Sequence, residues 1–261
     1  MMVLTGYDFF IRIYTYAQNG IDTLSKKLFV IGVGPGSPKY LTDIVKEAIT
    51  KSRYIIGYKY TLSTIDSVLD RSRQEIHEVT MKTQEDIYQN VHKKMKDGEC
   101  CTVPFTGDVN FSESEVVDRL LQIFGDDNVE AIPGISSIQV AAAKAHIPMD
   151  KAFIVTFHVT ADIEQKKIDL VQAVQQKRSV ILLPRPWPRD LSKHFMPSEI
   201  AKFLRANNIN TKKLKVWIFE YLTTEKETVF IGTAEELEGK EFSDLSVMVI
   251  DQTKRQTYLE F

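Results

Sequence analysis

Only two cysteines occur in the 261 residues, and they are neighbours, Cys100 and Cys101. Adjacent cysteines seldom bridge each other and match no zinc spacing, so both read as buried thiols of a reducing, cytoplasmic compartment. Histidine is sparse: His77, His92, His146, His158 and His194 stand at no metal-chelating spacing, and no metal is expected. The formal net charge is −2, with acids and bases interspersed. That excludes the basic footprint of a nucleic-acid binder and of a protein held on an anionic membrane surface. No apolar run approaches the ~18 residues of a membrane span. Repeats and low-complexity tracts are also missing.

What is present is a strand running into glycines. Leu28 to Pro38 reads LFVIGVGPGSP: an apolar run, then a loop with Gly32, Gly34 and Gly36. A helix is expected to open at Ser37 or Thr42. This is how α/β proteins bring backbone close to a ligand at the carboxyl end of a strand. The dinucleotide fingerprint does not fit. Its third glycine would fall at Ser37, and the acid expected about 20 positions on is missing from IIGYKY. Pro35 has no N–H to offer a phosphate, so the loop suits an apolar or cationic ligand better than a pyrophosphate.

Two more strands end the same way. Glu99 to Phe105 leads into Thr106-Gly107-Asp108, and Val129 to Ile132 leads into Pro133-Gly134 ahead of Ser136-Ser137 and the helix SIQVAAAKA. In an open parallel sheet such loops share one edge and converge on one crevice. Helices are expected on the face of Leu41, Ile44, Val45, Ala48 and Ile49, and over 84–96 and 113–124, with a strand over 53–58. Pro148 interrupts the pattern. Beyond it come strand 153–157, helix 164–175, strand 179–183, a proline-rich loop PRPWPRD, helix 198–206 and closing strands near 214–221, 228–231 and 247–250. Alternating strands and helices in both halves argue an α/β protein of two lobes, residues 27–148 and 149–261, after an extension over residues 1–26. Trp217 reads as core.

With the three loops in view, the chain resembles the tetrapyrrole (corrin/porphyrin) methylase family. The matching stretches are VIGVGPGSPKYLT, TGDVNFSE, IPGISSIQVAAAKAHIP, FHV at 157–159, EYLTTEKETVFIGTAEEL and FSDLSVMVI, together spanning nearly all of 27–250. Within the family the pattern looks most like the branch that methylates C5 of cobalt-precorrin-7 in cobalamin assembly. The middle loop departs from that branch's SGDPGFYS-like run, with Val109 and Asn110 where it has a proline and a small residue.

The resemblance implies two αβα lobes with S-adenosylmethionine in the cleft between them, and a homodimer. It implies a small-molecule tetrapyrrole as acceptor and a separate enzyme for methylation at C15 with decarboxylation. Gly34, Pro35, Gly36, Gly107, Asp108, Val109, Ser136 and Ser137 are the expected cofactor-binding residues. Asp108 and His158 are the candidates for a base that removes a ring proton. Each has a structural alternative, Asp108 as a turn residue and His158 as a satisfied histidine after a buried strand. Arg185 and Arg189, around Trp187, have the chemistry to hold the carboxylates of a tetrapyrrole at the rim of its trough. Rival readings are a methylase of another tetrapyrrole position, an archaeal diphthamide-pathway methyltransferase and an inactive ligand-binding relative. A nucleotide-dependent oxidoreductase is opposed by the glycine spacing.

Overall fold

The computed structural model describes residues 25–186 and 193–253. The extension expected over residues 1–26 lies outside them except for Ser25 and Lys26, and so do Trp187 and Arg189.

Five parallel strands, β1 (Lys27–Gly32), β2 (Tyr54–Tyr58), β3 (Glu75–Val79), β4 (Cys100–Phe105) and β5 (Val129–Ile132), form the first sheet in the order β3-β2-β4-β1-β5. β1 alternates. Leu28 and Val30 enter the core under α3 (Gln84–Lys94) and α4 (Ser114–Phe124), while Phe29 and Ile31 enter the opposite core under α1 (Asp43–Lys51) and α2 (Lys59–Ile65). Helices on both faces are why this strand reads as an unbroken apolar run. Pro104 is tolerated in central β4 because pairing with β2 stops at Thr102, two residues earlier.

The second sheet is mixed, in the order β6-β7-β10-β8-β9. β6 (Phe153–Thr156) and β7 (Val180–Leu183) are parallel, whereas β8 (Lys215–Glu220), β9 (Thr228–Thr233) and β10 (Ser246–Asp251) pair antiparallel. α6 (Glu164–Gln175) and α7 (Pro197–Ala206) cover one face, and α5 (Ser137–Ala145) covers the other. The fold is the expected α/β architecture of two layered lobes.

Four local details differ from the sequence reading. β3 was not expected; EIHEV is an edge strand, with only Val79 fully buried, so its apolar signal is weak. Ile44 lies 55% exposed although it matches the apolar spacing of α1. α5 precedes Pro148, the expected lobe boundary, yet Ile138, Ala141, Ala142 and Ala145 pack against Ile181, Phe219, Val247 and Val249 of the second sheet. α5 thus packs on the second sheet although it precedes Pro148 in the chain. Trp217 is half-buried and stacks on Phe219, ring centroids 6.0 Å apart.

Candidate active site between the lobes

β4, β1 and β5 are neighbours, so the loops after them leave one edge of the first sheet side by side. Their junction is built of glycine. A Cβ on Gly32 would sit 2.6 Å from both the Gly107 carbonyl oxygen and the Gly134 nitrogen, and one on Gly134 would collide with the Gly32 carbonyl. Gly34 and Gly107 exchange two backbone hydrogen bonds, of 3.2 and 2.7 Å, with both residues at positive φ. No larger residue permits this approach.

The loops form one wall of a cleft whose other wall is the second lobe. Pro35, Gly107, Asp108, Phe111, Glu113, Ser136 and Ser137 face Leu183, Tyr221, Leu222 and residues 244–247 across it, with His158 alongside. The cleft is narrow, about 110 Å³. Through Tyr60, Tyr221 and Leu245 it adjoins a wider trough of about 1030 Å³, lined by Gly36 to Tyr40, Lys144 and residues 223–227. The lobes touch here. The Ser37 N–H donates to Thr223 Oγ1 at 3.0 Å, and a Cβ on Gly36 would lie 2.7 Å from both Thr224 Cγ2 and the Tyr60 hydroxyl.

Of the expected cofactor residues, Pro35, Gly107, Asp108, Ser136 and Ser137 line the cleft, and Gly36 lines the trough. Gly34 and Val109 do not line the cleft. Gly34 braces the loops and backs onto Tyr40, while Val109 is buried in the core of the first lobe. Ser136 serves as a cap as well as a wall. Its hydroxyl accepts from the Ile138 N–H, and Gln139 Oε1 accepts from the Ser136 N–H at 2.8 Å, a complete capping box.

The two candidate bases fare differently. Asp108 holds the turn: Oδ1 accepts from the Asn110 N–H at 2.8 Å and Oδ2 from the Gly134 N–H at 2.9 Å, tying the second loop to the third. Its carboxylate is committed to backbone, which speaks against a base. His158 is solvent-accessible along a concave wall, and the surrounding protein lowers its pKa by desolvation, partly opposed by Asp244.

Arg185 is not at a rim. It is 3% exposed, and its Nη2 donates to the carbonyls of Thr160 and Ala161 at 3.0 Å each. Its loop folds inward through a bridge with Phe195, so the guanidinium is spent inside the lobe. Among the described residues, Lys39, Lys144 and Lys226 are the cations lining the trough, the second paired with Glu227 at 2.6 Å. Among the described residues no group of three His, Cys, Asp or Glu is arranged to hold a metal, and no helix is long and apolar enough to cross a membrane.

Glu113 was missed in the sequence. Burial, then the neighbouring Glu115, pushes its carboxyl pKa up to about 7. In sequence it is one acid in a helix start; only the fold sets it against the cleft.

Comparison with known proteins agrees with this geometry. A probable cobalt-precorrin-7 C(5)-methyltransferase of Methanocaldococcus jannaschii is 30% identical over 225 residues, covering 86% of this chain and 97% of that protein. The crystal structure of the methyltransferase CobJ superposes with a TM-score of 0.67 at 18% identity, over 87% of this chain and 94% of that one. Uroporphyrin-III C-methyl transferase from Thermus thermophilus, solved in complex with S-adenyl homocysteine, gives a TM-score of 0.62 at 16% identity, over 86% and 91%. The family model for Tetrapyrrole (Corrin/Porphyrin) Methylases matches residues 27–238, and the chain belongs to that family.

Proposed function

We propose that this protein transfers the methyl group of S-adenosylmethionine to C5 of cobalt-precorrin-7. The observation that carries the reading is the junction of three glycine loops at a narrow cleft that opens into a much wider trough. A compact methyl donor and a broad macrocycle need two such spaces in contact. The choice of C5 rests on the relative from Methanocaldococcus jannaschii, which this chain covers almost end to end.

The cleft residues fit the donor. Pro35, Phe111, Leu183 and Leu222 offer apolar surface for an adenine, and backbone at Gly107 can be approached closely. Among the described residues the acidic side chains lining the cleft are Asp108, Glu113 and Asp244, and no Lys or Arg lines it. Such a lining favours a cation and opposes a pyrophosphate. Ser136 and Ser137, at the N-terminus of α5, can donate to a carboxylate there.

When bound, S-adenosylmethionine supplies an electrophilic methyl on a sulfonium. The protein's part is alignment, because the macrocycle itself provides the nucleophilic carbon. Holding two reactants in line is worth about 7–11 kcal/mol of the barrier. Lys39, Lys144 and Lys226 take the role first given to Arg185, meeting acceptor carboxylates along the trough. A homodimer, and a separate enzyme acting at C15, belong to the same proposal.

Calorimetric titration with S-adenosylhomocysteine and with NAD tests the donor site. Micromolar binding of the first and none of the second is expected. Binding of NAD, or of neither, would overturn the reading.

A further inference from the structure

We propose that the Glu113 carboxylate is the base that takes the proton from the methylated ring carbon. This inference rests on the methyl-transfer reading above and adds the residue that completes the reaction.

The argument is one of position and commitment. Among the described residues, three carboxyl groups and one imidazole line the cleft: Asp108, Glu113, Asp244 and His158. Asp108 has each oxygen bonded to a backbone N–H of the loop junction. Asp244 is exposed beside His158 and interacts with its ring. Glu113 has no hydrogen bond to its carboxyl from the described residues, although it stands immediately before α4 on the cleft wall. Its neighbour two positions on is spoken for, since Glu115 accepts from the Thr160 and Ala161 N–H groups and from the Thr160 hydroxyl.

The surroundings set the proton affinity. Burial raises the carboxyl's pKa most, and Glu115 at the start of α4 raises it further. Tyr58 at the end of β2 and Tyr88 on α3 have pKa values raised chiefly by burial, with a smaller contribution from the nearby charge of Glu113, and Arg119 on α4 acts on both in the opposite sense. Asp108, His158 and Asp244 face it from the remaining cleft lining. Burial outweighs the rest, and a carboxyl titrating at about 7 is matched to accept a proton near neutrality.

The step balances. The ring carbon contributes the electron pair of the new carbon–methyl bond, and the pair of the broken sulfur–methyl bond stays on sulfur, which becomes a neutral thioether. The same carbon then loses its hydrogen as a proton to Glu113, and the freed pair restores the ring double bond. Glu113 then returns the proton to solvent.

The test compares wild type with Glu113→Gln and Glu113→Asp in two measurements. One is the affinity for S-adenosylhomocysteine; the other is single-turnover methyl transfer to cobalt-precorrin-7 between pH 5.5 and 9. The wild-type rate is expected to rise with pH and level off above about 7 as the carboxyl ionises. Glu113→Gln should bind S-adenosylhomocysteine within threefold of wild type, lose about 100-fold or more in rate and lose that pH limb, with Glu113→Asp recovering part. A glutamine variant within threefold of wild type in rate overturns the inference. So does parallel loss of binding and rate, the mark of a structural role. Wild type that binds S-adenosylhomocysteine but methylates no cobalt-precorrin-7 overturns the acceptor assignment, and this inference with it.

Discussion

Glu115 and Arg185 hold opposite edges of one dipeptide. The Glu115 carboxylate, from the first lobe, accepts from the N–H groups of Thr160 and Ala161 at 3.1 and 3.2 Å. Arg185, from the second lobe, donates to their carbonyl oxygens. The segment beginning at His158 is thereby fixed against the cleft from both sides. Replacing Arg185 with methionine keeps the apolar stem but leaves two carbonyls without their donor, and should cost about 2–3 kcal/mol in urea unfolding. A change below 0.5 kcal/mol would show that the guanidinium is not structural.

The same clamp has a pH signature. Hydrogen bonds from Thr160 and Ala161 lower the pKa of Glu115 below its ordinary 4.5. A lowered carboxylate stabilises the fold above its unfolded pKa, and that stability is lost as pH falls through the folded value. Thermal melting of wild type should therefore decline more steeply below pH 4.5 than that of Glu115→Gln. Parallel curves would contradict the clamp.

Glu113 has the opposite sign. Its carboxyl pKa is raised to about 7, so the fold loses stability as pH rises from 4.5 to 7 and a half-buried, partly desolvated charge forms. Glu113→Gln should melt higher than wild type at pH 8 and close to it at pH 5. A lower melting temperature at both values would mean that the carboxylate is stabilising, contrary to its surroundings here.

Asp108 separates a loop tie from a base. Asparagine keeps one carbonyl acceptor for the junction, so Asp108→Asn should retain most S-adenosylhomocysteine affinity and most turnover. Asp108→Ala should lose about 1–2 kcal/mol of stability and weaken binding with it. Turnover abolished in Asp108→Asn with binding intact would restore Asp108 as the base.

The glycine junction is the least forgiving site. Gly134→Ala forces a methyl into the Gly32 carbonyl, and overpacking of this kind costs about 1–3 kcal/mol. Loss of S-adenosylhomocysteine binding should accompany the lowered melting temperature. Wild-type affinity in this variant would show that the loops can part without harm to the site.

The strands and their loops were legible because β1, β4 and β5 are apolar runs stopped by glycine, a pattern written locally. The partner of α5 was not. Ile138, Val140, Ala141, Ala142 and Ala145 leave little polar face on this short helix, so periodicity could not say which sheet it covers. Arg185 illustrates a second limit. A guanidinium between prolines has surface chemistry, and only the inward turn of its loop toward Phe195 buries it. Glu113 illustrates a third, since its proton affinity is set by the burial that the fold imposes and by the neighbouring Glu115 on α4.

The central claim is methyl transfer to one carbon of one macrocycle. Incubating the protein with 13C-methyl S-adenosylmethionine and cobalt-precorrin-7, and locating the label in the product by carbon NMR, tests it directly. The account predicts a single labelled methyl at C5. An unlabelled macrocycle, or a label at any other ring position, would contradict it.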